Sequence, residues 1–205
     1  MSMADDVIHL CQKENLSQIS LVGHSMGGGV SMSIALRPDL PTSLLRKLVI
    51  EDVSPKISSE VIQEFLGYAA AMRKVAEAKP KSRREADALL KDAAPDTSMR
   101  LFLMTSLVND GRGEPLRWRL PRHMIEDSTI HGLCNFPFSE NDGVRYDPEA
   151  LFIRGTHSQY LAEERIDIAR KFFPNLRMET LDGGHWVHAE KPGDFIDMVT
   201  KFLKE

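Results

Sequence analysis

The segment Ile19-Ser20-Leu21-Val22-Gly23-His24-Ser25-Met26-Gly27 constrains the fold of this chain more than any other. Ile19 to Val22 is a short apolar run ending at glycine, the mark of a buried strand. Small and apolar residues from Gly27 to Leu36 read as a helix that stops before Pro38. A Gly-x-Ser-x-Gly turn between such a strand and helix lifts the serine hydroxyl above the carboxyl end of a sheet. The turn is sharp and strains the serine backbone, so Gly23 and Gly27 are expected to leave no room for side chains. The helix N-terminus favours developing negative charge, and the Met26 N–H is the natural oxyanion donor. A bare Gly-x-Ser-x-Gly recurs by chance, and its plain reading is a glycine-rich turn. Here the strand before it, the helix after it, and Gly28 and Gly29 favour a nucleophile at Ser25.

The rest of the chain alternates in the same way, with one interruption. Residues 4–15 read as a short amphipathic helix and Leu48-Val49-Ile50 as a second buried strand ending at Glu51-Asp52. From about 55 to 147 helical patterns follow at 58–78, 82–93 and 96–109. Then come an irregular stretch at 110–122, a short helix at 123–134, and Asn135-Phe136-Pro137-Phe138. No strand is obvious there, so 55–147 reads as a helical cap or lid inserted into a core formed by 1–54 and 148–205. Ala150 to Ile153 is a strand ending at Gly155, 161–173 a helix, Leu176 to Leu181 a strand, and 192–204 a closing helix. Strands alternating with helices imply an α/β fold, a parallel sheet of about four strands with helices on both faces.

Composition narrows the partners. The 205 residues carry 42% hydrophobic and 27% charged residues, enough for one packed core. The net charge of −4 gives no reason to expect nucleic acid or an anionic membrane. No stretch is apolar enough to span a bilayer, and the acidic start Met1 to Asp6 is neither signal nor transit peptide. Two cysteines, Cys11 and Cys134, imply no disulfide framework and fit a reducing, intracellular setting.

A serine nucleophile needs a histidine late in the chain, on the loop between the last strand and the closing helix. His185, after Gly183-Gly184, meets each condition. His188 competes, and its simpler role is to brace the final helix through Glu190. His157 is an outside candidate; His123 and His131 fall in the insertion. His24 lies inside the turn, beside the strand. The usual place for the acid is the loop after Gly155, which reads Thr156-His157-Ser158-Gln159-Tyr160 and holds no carboxylate. Ser158 stands where aspartate is expected. Asp52, at the end of the preceding strand, is the other position within reach of the imidazole. Glu51 is the lesser alternative, and a turn cap at Ser54-Pro55 is the plain reading of Asp52.

Four motifs together carry a family resemblance. Gly-His-Ser-Met-Gly-Gly, Ile-Glu-Asp-Val-Ser-Pro, Phe-Ile-Arg-Gly-x-x-Ser-x-Tyr and Gly-His-Trp-Val-His-Ala-Glu-Lys-Pro resemble the YbfF-type esterases and their mitochondrial abhydrolase-domain relatives. The yeast ethanol acetyltransferases look like a branch of the same group. The resemblance implies the α/β-hydrolase fold and a triad of Ser25, Asp52 and His185. It also implies acyl transfer from a small ester or thioester without cofactor or metal, and a mitochondrial or cytoplasmic location. His24, Phe136, Phe138, Tyr160 and Trp186 are the candidate substrate-pocket residues.

Complete members of that family begin with about four more strands, and an early loop supplies a second oxyanion N–H. The expectation is therefore an N-terminally truncated fold. In it Ile19–Val22 becomes an exposed edge open to self-association, and one oxyanion donor is missing. Three functions fit these residues. They are a serine hydrolase, an alcohol O-acyltransferase, and an impaired fragment or binding module that keeps the site without the chemistry.

Overall fold

In a computed structural model the protein is described over residues 2–111 and 113–205. It divides into two compact units, one of residues 1–57 and 136–205 and the other Ser58–Asn135.

The first unit opens on helix α1 (Met3–Lys13), started by a reciprocal capping box between Ser2 and Asp5. Strand β1 (Ile19–His24) runs into helix α2 (Met26–Ala35), and β2 (Leu45–Glu51) follows. After the second unit come β5 (Ala150–Gly155), α7 (Glu163–Phe172), β6 (Leu176–Leu181), the single turn α8 (Val187–Glu190) and α9 (Pro192–Lys204). The four strands form one parallel sheet in the order β1-β2-β5-β6. β1 lies at one edge, with Val22 48% exposed.

Alternation along the central strands builds two cores, one on each face. Leu48 and Ile50 of β2 and Ala150 and Phe152 of β5 face Met32 and Ala35 of α2 and Ala169 and Phe172 of α7. Val49, Leu151 and Ile153 point the other way, onto Leu181, Val187 of α8 and Phe202 of α9. Both faces are covered at the middle of the sheet, which is why Leu48 to Ile50 of β2 and Ala150 to Ile153 of β5 read as unbroken apolar runs. Each crossover returns the chain to the same end of the sheet. The carboxyl ends of β1, β2, β5 and β6 therefore lie together, where ligands bind in open α/β sheets.

The second unit is mainly helical. Ser58, Ser82 and Asp96 cap the starts of α3 (Ser59–Ala78), α4 (Arg83–Leu90) and α5 (Thr97–Met104) through side-chain oxygens. A 3-10 turn (Arg122–Ile125) leads into α6 (Asp127–Cys134). Its core joins Met72, Val75, Leu90, Met104, Leu107 and Trp118. Buried Arg100 is held by Asp87, Thr97 and the carbonyls of Ala94 and Pro95.

One expectation is corrected here. The third helical pattern, 96–109, ends at Met104, and a short antiparallel pair follows, β3 (Leu107–Val108) with β4 (Arg117–Trp118). Two-residue strands carry no readable alternation. They are held instead by side-chain bonds: the Trp118 indole N–H donates to the Met72 carbonyl of α3 at 2.8 Å, and Arg117 pairs with Asp110 in the loop after β3.

Candidate active site

Ser25 is the junction between β1 and α2, with φ 52° and ψ −120°. Non-glycine residues adopt such a backbone only under constraint, at a cost of about 1–3 kcal/mol. The constraint is visible on both sides. The Ser25 N–H donates to the Glu51 carbonyl at 3.0 Å, and the Gly29 N–H returns to the Ser25 carbonyl at 3.1 Å. A Cβ at Gly23 would lie 2.5 Å from the Gly27 carbonyl oxygen and 2.6 Å from Ser31 Oγ. A Cβ at Gly28 would meet Val53 Cγ1 at 2.6 Å and the Gly23 oxygen at 2.9 Å, whereas Gly27 has open space around that position. The close-packed pair is therefore Gly23 and Gly28, which corrects the expectation for Gly27. Gly28 is the residue turned back onto Ile50 of β2 and onto Val53 just beyond it.

Asp52 follows β2 directly. Its side chain is fully buried, and its backbone is also left-handed, at φ 50°. Its amide donates to the Ile153 carbonyl at 2.8 Å, which ties the strained residue to β5. Oδ1 accepts the Gly155 N–H at 3.1 Å, and Oδ2 accepts both the Ser158 hydroxyl and His185 Nδ1–H, the latter at 2.7 Å. The carboxylate is thus fully paired despite its burial, as burial of a charge requires. Ser158, in the loop after β5 where the sequence pattern places the usual acid, is instead a donor to the aspartate one strand away.

His185 stands on the loop after β6, with its side chain 10% exposed. Glycine is required where that loop passes β5, because a Cβ at Gly155 would overlap the Gly184 carbonyl. Glu190 Oε2 accepts the Gly184 N–H at 2.7 Å and fixes the loop from the other side. The ring then bridges the two other groups, with Nδ1 on Asp52 and Nε2 3.0 Å from Ser25 Oγ. With Nδ1–H given to the carboxylate, Nε2 carries the lone pair that accepts the serine hydroxyl, the arrangement of a general base. Met26 is the first residue of α2, so its N–H has no acceptor within the helix.

The remaining candidates separate cleanly. Glu51 and His188 pair with each other: Glu51 Oε1 accepts the His188 N–H at 3.1 Å and Nδ1–H at 2.7 Å. His188 therefore braces β2 rather than Glu190, and Glu51 is not the acid of His185. His24 Nε2–H donates to the His185 carbonyl at 2.8 Å, and burial followed by the nearby His185 pushes its pKa down. His157 faces Asp182 at 3.5 Å in an exposed pair. The Tyr160 and Trp186 rings lie 4.0 and 5.4 Å from the His185 ring. Phe136 and Phe138 meet edge-on, Phe136 meets Phe172 in the same way, and both are partly buried against the α7-side core. Donor atoms of His24, Glu51 and His188 lie within 4.8 Å of one another, the one grouping among the described residues of metal-ligating type. None of these bonds was legible from residue type alone. The one sequence signal was that His24 and Glu51 each end a strand.

A parallel α/β sheet with serine, buried carboxylate and histidine hydrogen-bonded in series at its carboxyl end defines the class of protein. The model of the alpha/beta hydrolase fold family matches residues 1–192, and the chain belongs to that family. It is 34% identical to an abhydrolase domain-containing protein of Schizosaccharomyces pombe over 98% of this chain and 73% of the relative. It is also 34% identical to the sn-1-specific diacylglycerol lipase ABHD11 of Xenopus laevis, over 99% of this chain and 64% of that protein. The chain thus spans under two thirds of the lipase. A solved marine microorganism esterase superposes with a TM-score of 0.79 at 26% identity, covering 98% of this chain and 76% of its own.

Proposed function

We propose that this chain is a serine hydrolase of carboxylic esters or thioesters, working through an acyl-enzyme on Ser25. The observation that carries the reading is the unbroken series Ser25 Oγ to His185 Nε2 to Asp52 Oδ2, at 3.0 and 2.7 Å. Ser25 Oγ attacks the acyl carbonyl carbon while its proton passes to His185 Nε2. The carbonyl oxygen becomes an oxyanion in front of the Met26 N–H and the N-terminus of α2. Asp52 stabilises the imidazolium without taking its proton. Collapse expels the alcohol or thiol, which leaves with the proton from His185. Water, giving a proton to His185, then attacks the carbonyl carbon of the acyl-enzyme; the bond to Ser25 Oγ breaks, the carboxylic acid leaves, and Oγ takes the proton back from His185. The lipase and esterase names of relatives support an acyl ester as substrate, and Tyr160 and Trp186 supply apolar surface beside His185 for the acyl group.

The test is a fluorophosphonate label followed by p-nitrophenyl acetate turnover. The folded protein is expected to label once and to hydrolyse the ester, and Ser25→Ala to do neither. A folded protein that does not label overturns the reading. Supplying ethanol and measuring ethyl ester against free acid separates transfer to an alcohol from hydrolysis.

A further inference from the structure

Beside the triad lies a second series of polar groups that the reaction above leaves unused. Glu51 is 2% exposed and sits next to Asp52. It takes two hydrogen bonds from His188, one from the backbone and one from the ring. The His188 ring meets the His24 ring edge-on at 4.8 Å, and His24 meets the His185 ring at 4.5 Å. His24 then closes the series by donating to the His185 backbone carbonyl. The parallel register sets His24 directly opposite Glu51, so strands β1 and β2 present both groups to the loop after β6. Bonds spanning 137 and 161 residues thus hold the two ends of one four-residue stretch, His185 to His188.

We propose that Glu51, His188 and His24 form a tether that positions His185, Asp52 fixing the ring and the tether fixing the backbone that carries it. This rests on the serine-hydrolase reading for its effect on rate, though not for its effect on geometry. The groups are of metal-ligating type, but their bonds already join them: Glu51 Oε1 faces two N–H donors, and His24 Nε2–H is directed at a carbonyl. Burial and His185 together lower the His24 pKa, so at neutral pH the ring is an uncharged donor that does not oppose the imidazolium. A loop released by even about 1 Å misplaces Nε2, and misplacement of that size costs as much as a hundredfold in rate.

The experiment compares His24→Leu, His24→Gln, His188→Leu and Glu51→Gln with the parent, at equal thermal stability. Two readouts are used: steady-state kinetics on p-nitrophenyl acetate, and the low-field proton resonance of the His185 Nδ1–H bond to Asp52, assigned by its loss in Asp52→Asn. His24→Leu and His188→Leu are expected to lower kcat about tenfold to a hundredfold with KM unchanged, and to shift or broaden the resonance. His24→Gln keeps an N–H where Nε2 stood and is expected to restore most of both. His24→Leu with parental kcat and resonance overturns the tether. An unlabelled, inactive parent whose resonance still responds to His24→Leu instead overturns the hydrolase reading and leaves the tether standing.

Discussion

At the scale of single residues, Asp52 gathers three donors on two oxygens, and each has a separable role. Gly155 N–H and the Ser158 hydroxyl satisfy the buried carboxylate, while His185 Nδ1–H uses it. Asp52→Asn offers an amide where the imidazole needs an acceptor, so the wrong tautomer is favoured. Its kcat/KM on p-nitrophenyl acetate is expected to fall about 10³–10⁴-fold with the fold intact by circular dichroism. Ser158→Ala removes a hydrogen bond to a charged acceptor. Its unfolding free energy in urea should drop by about 1.5–3 kcal/mol with an unchanged slope, and fluorophosphonate labelling should persist. Ser25 and Asp52 were legible as candidates because each directly follows a strand with a plain apolar run, and His185 because it lies on the loop between the last strand and the closing helix. The bond of His24 to the His185 carbonyl was not, because its partners are 161 residues apart and meet only in the folded sheet.

At the scale of elements, the turn from β1 to α2 shows where a symmetrical motif hides an asymmetry. Gly-x-Ser-x-Gly presents Gly23 and Gly27 as equivalents, yet a Cβ at Gly23 would strike the Gly27 backbone and one at Gly27 would strike nothing within 4 Å. Gly23→Ala is expected to destabilise by about 1–3 kcal/mol, seen as a lower Tm, because backbone cannot yield as a side chain can. Gly27→Ala, in the first turn of α2, should be neutral or stabilising by up to about 1 kcal/mol, since alanine restricts the unfolded chain. A stability loss at Gly27 equal to that at Gly23 would contradict this packing. Longer strands and helices of the first unit followed from apolar runs and their punctuation. The pair β3–β4 did not, because two residues per strand have no period and are fixed by Trp118 and Arg117.

At the scale of the whole molecule, the parallel sheet gathers its charged and polar chemistry at one end, and that has a pH signature. The folded state lowers the His24 pKa through burial, so the unfolded chain binds that proton more readily. Stability contributed by neutral His24 is present at neutral pH and is lost as pH falls through the ordinary imidazole range. The Tm of the parent should therefore decline more steeply from about pH 7 to about pH 5 than that of His24→Gln; parallel curves would refute the assignment. Among the described residues no helix is long and apolar enough to cross a membrane. The sequence by itself determined the alternation of strand and helix, the serine on its turn, and the strand ends that carry His185 and Asp52. Those are local patterns, written in hydrophobic period and in glycine position. Only the tertiary structure decided which carboxylate serves which histidine, that Ser158 supports Asp52, and that Phe136 and Phe138 pack against the core on the α7 side. Those choices depend on strand register and on the two faces of the sheet, through contacts between residues far apart in the chain.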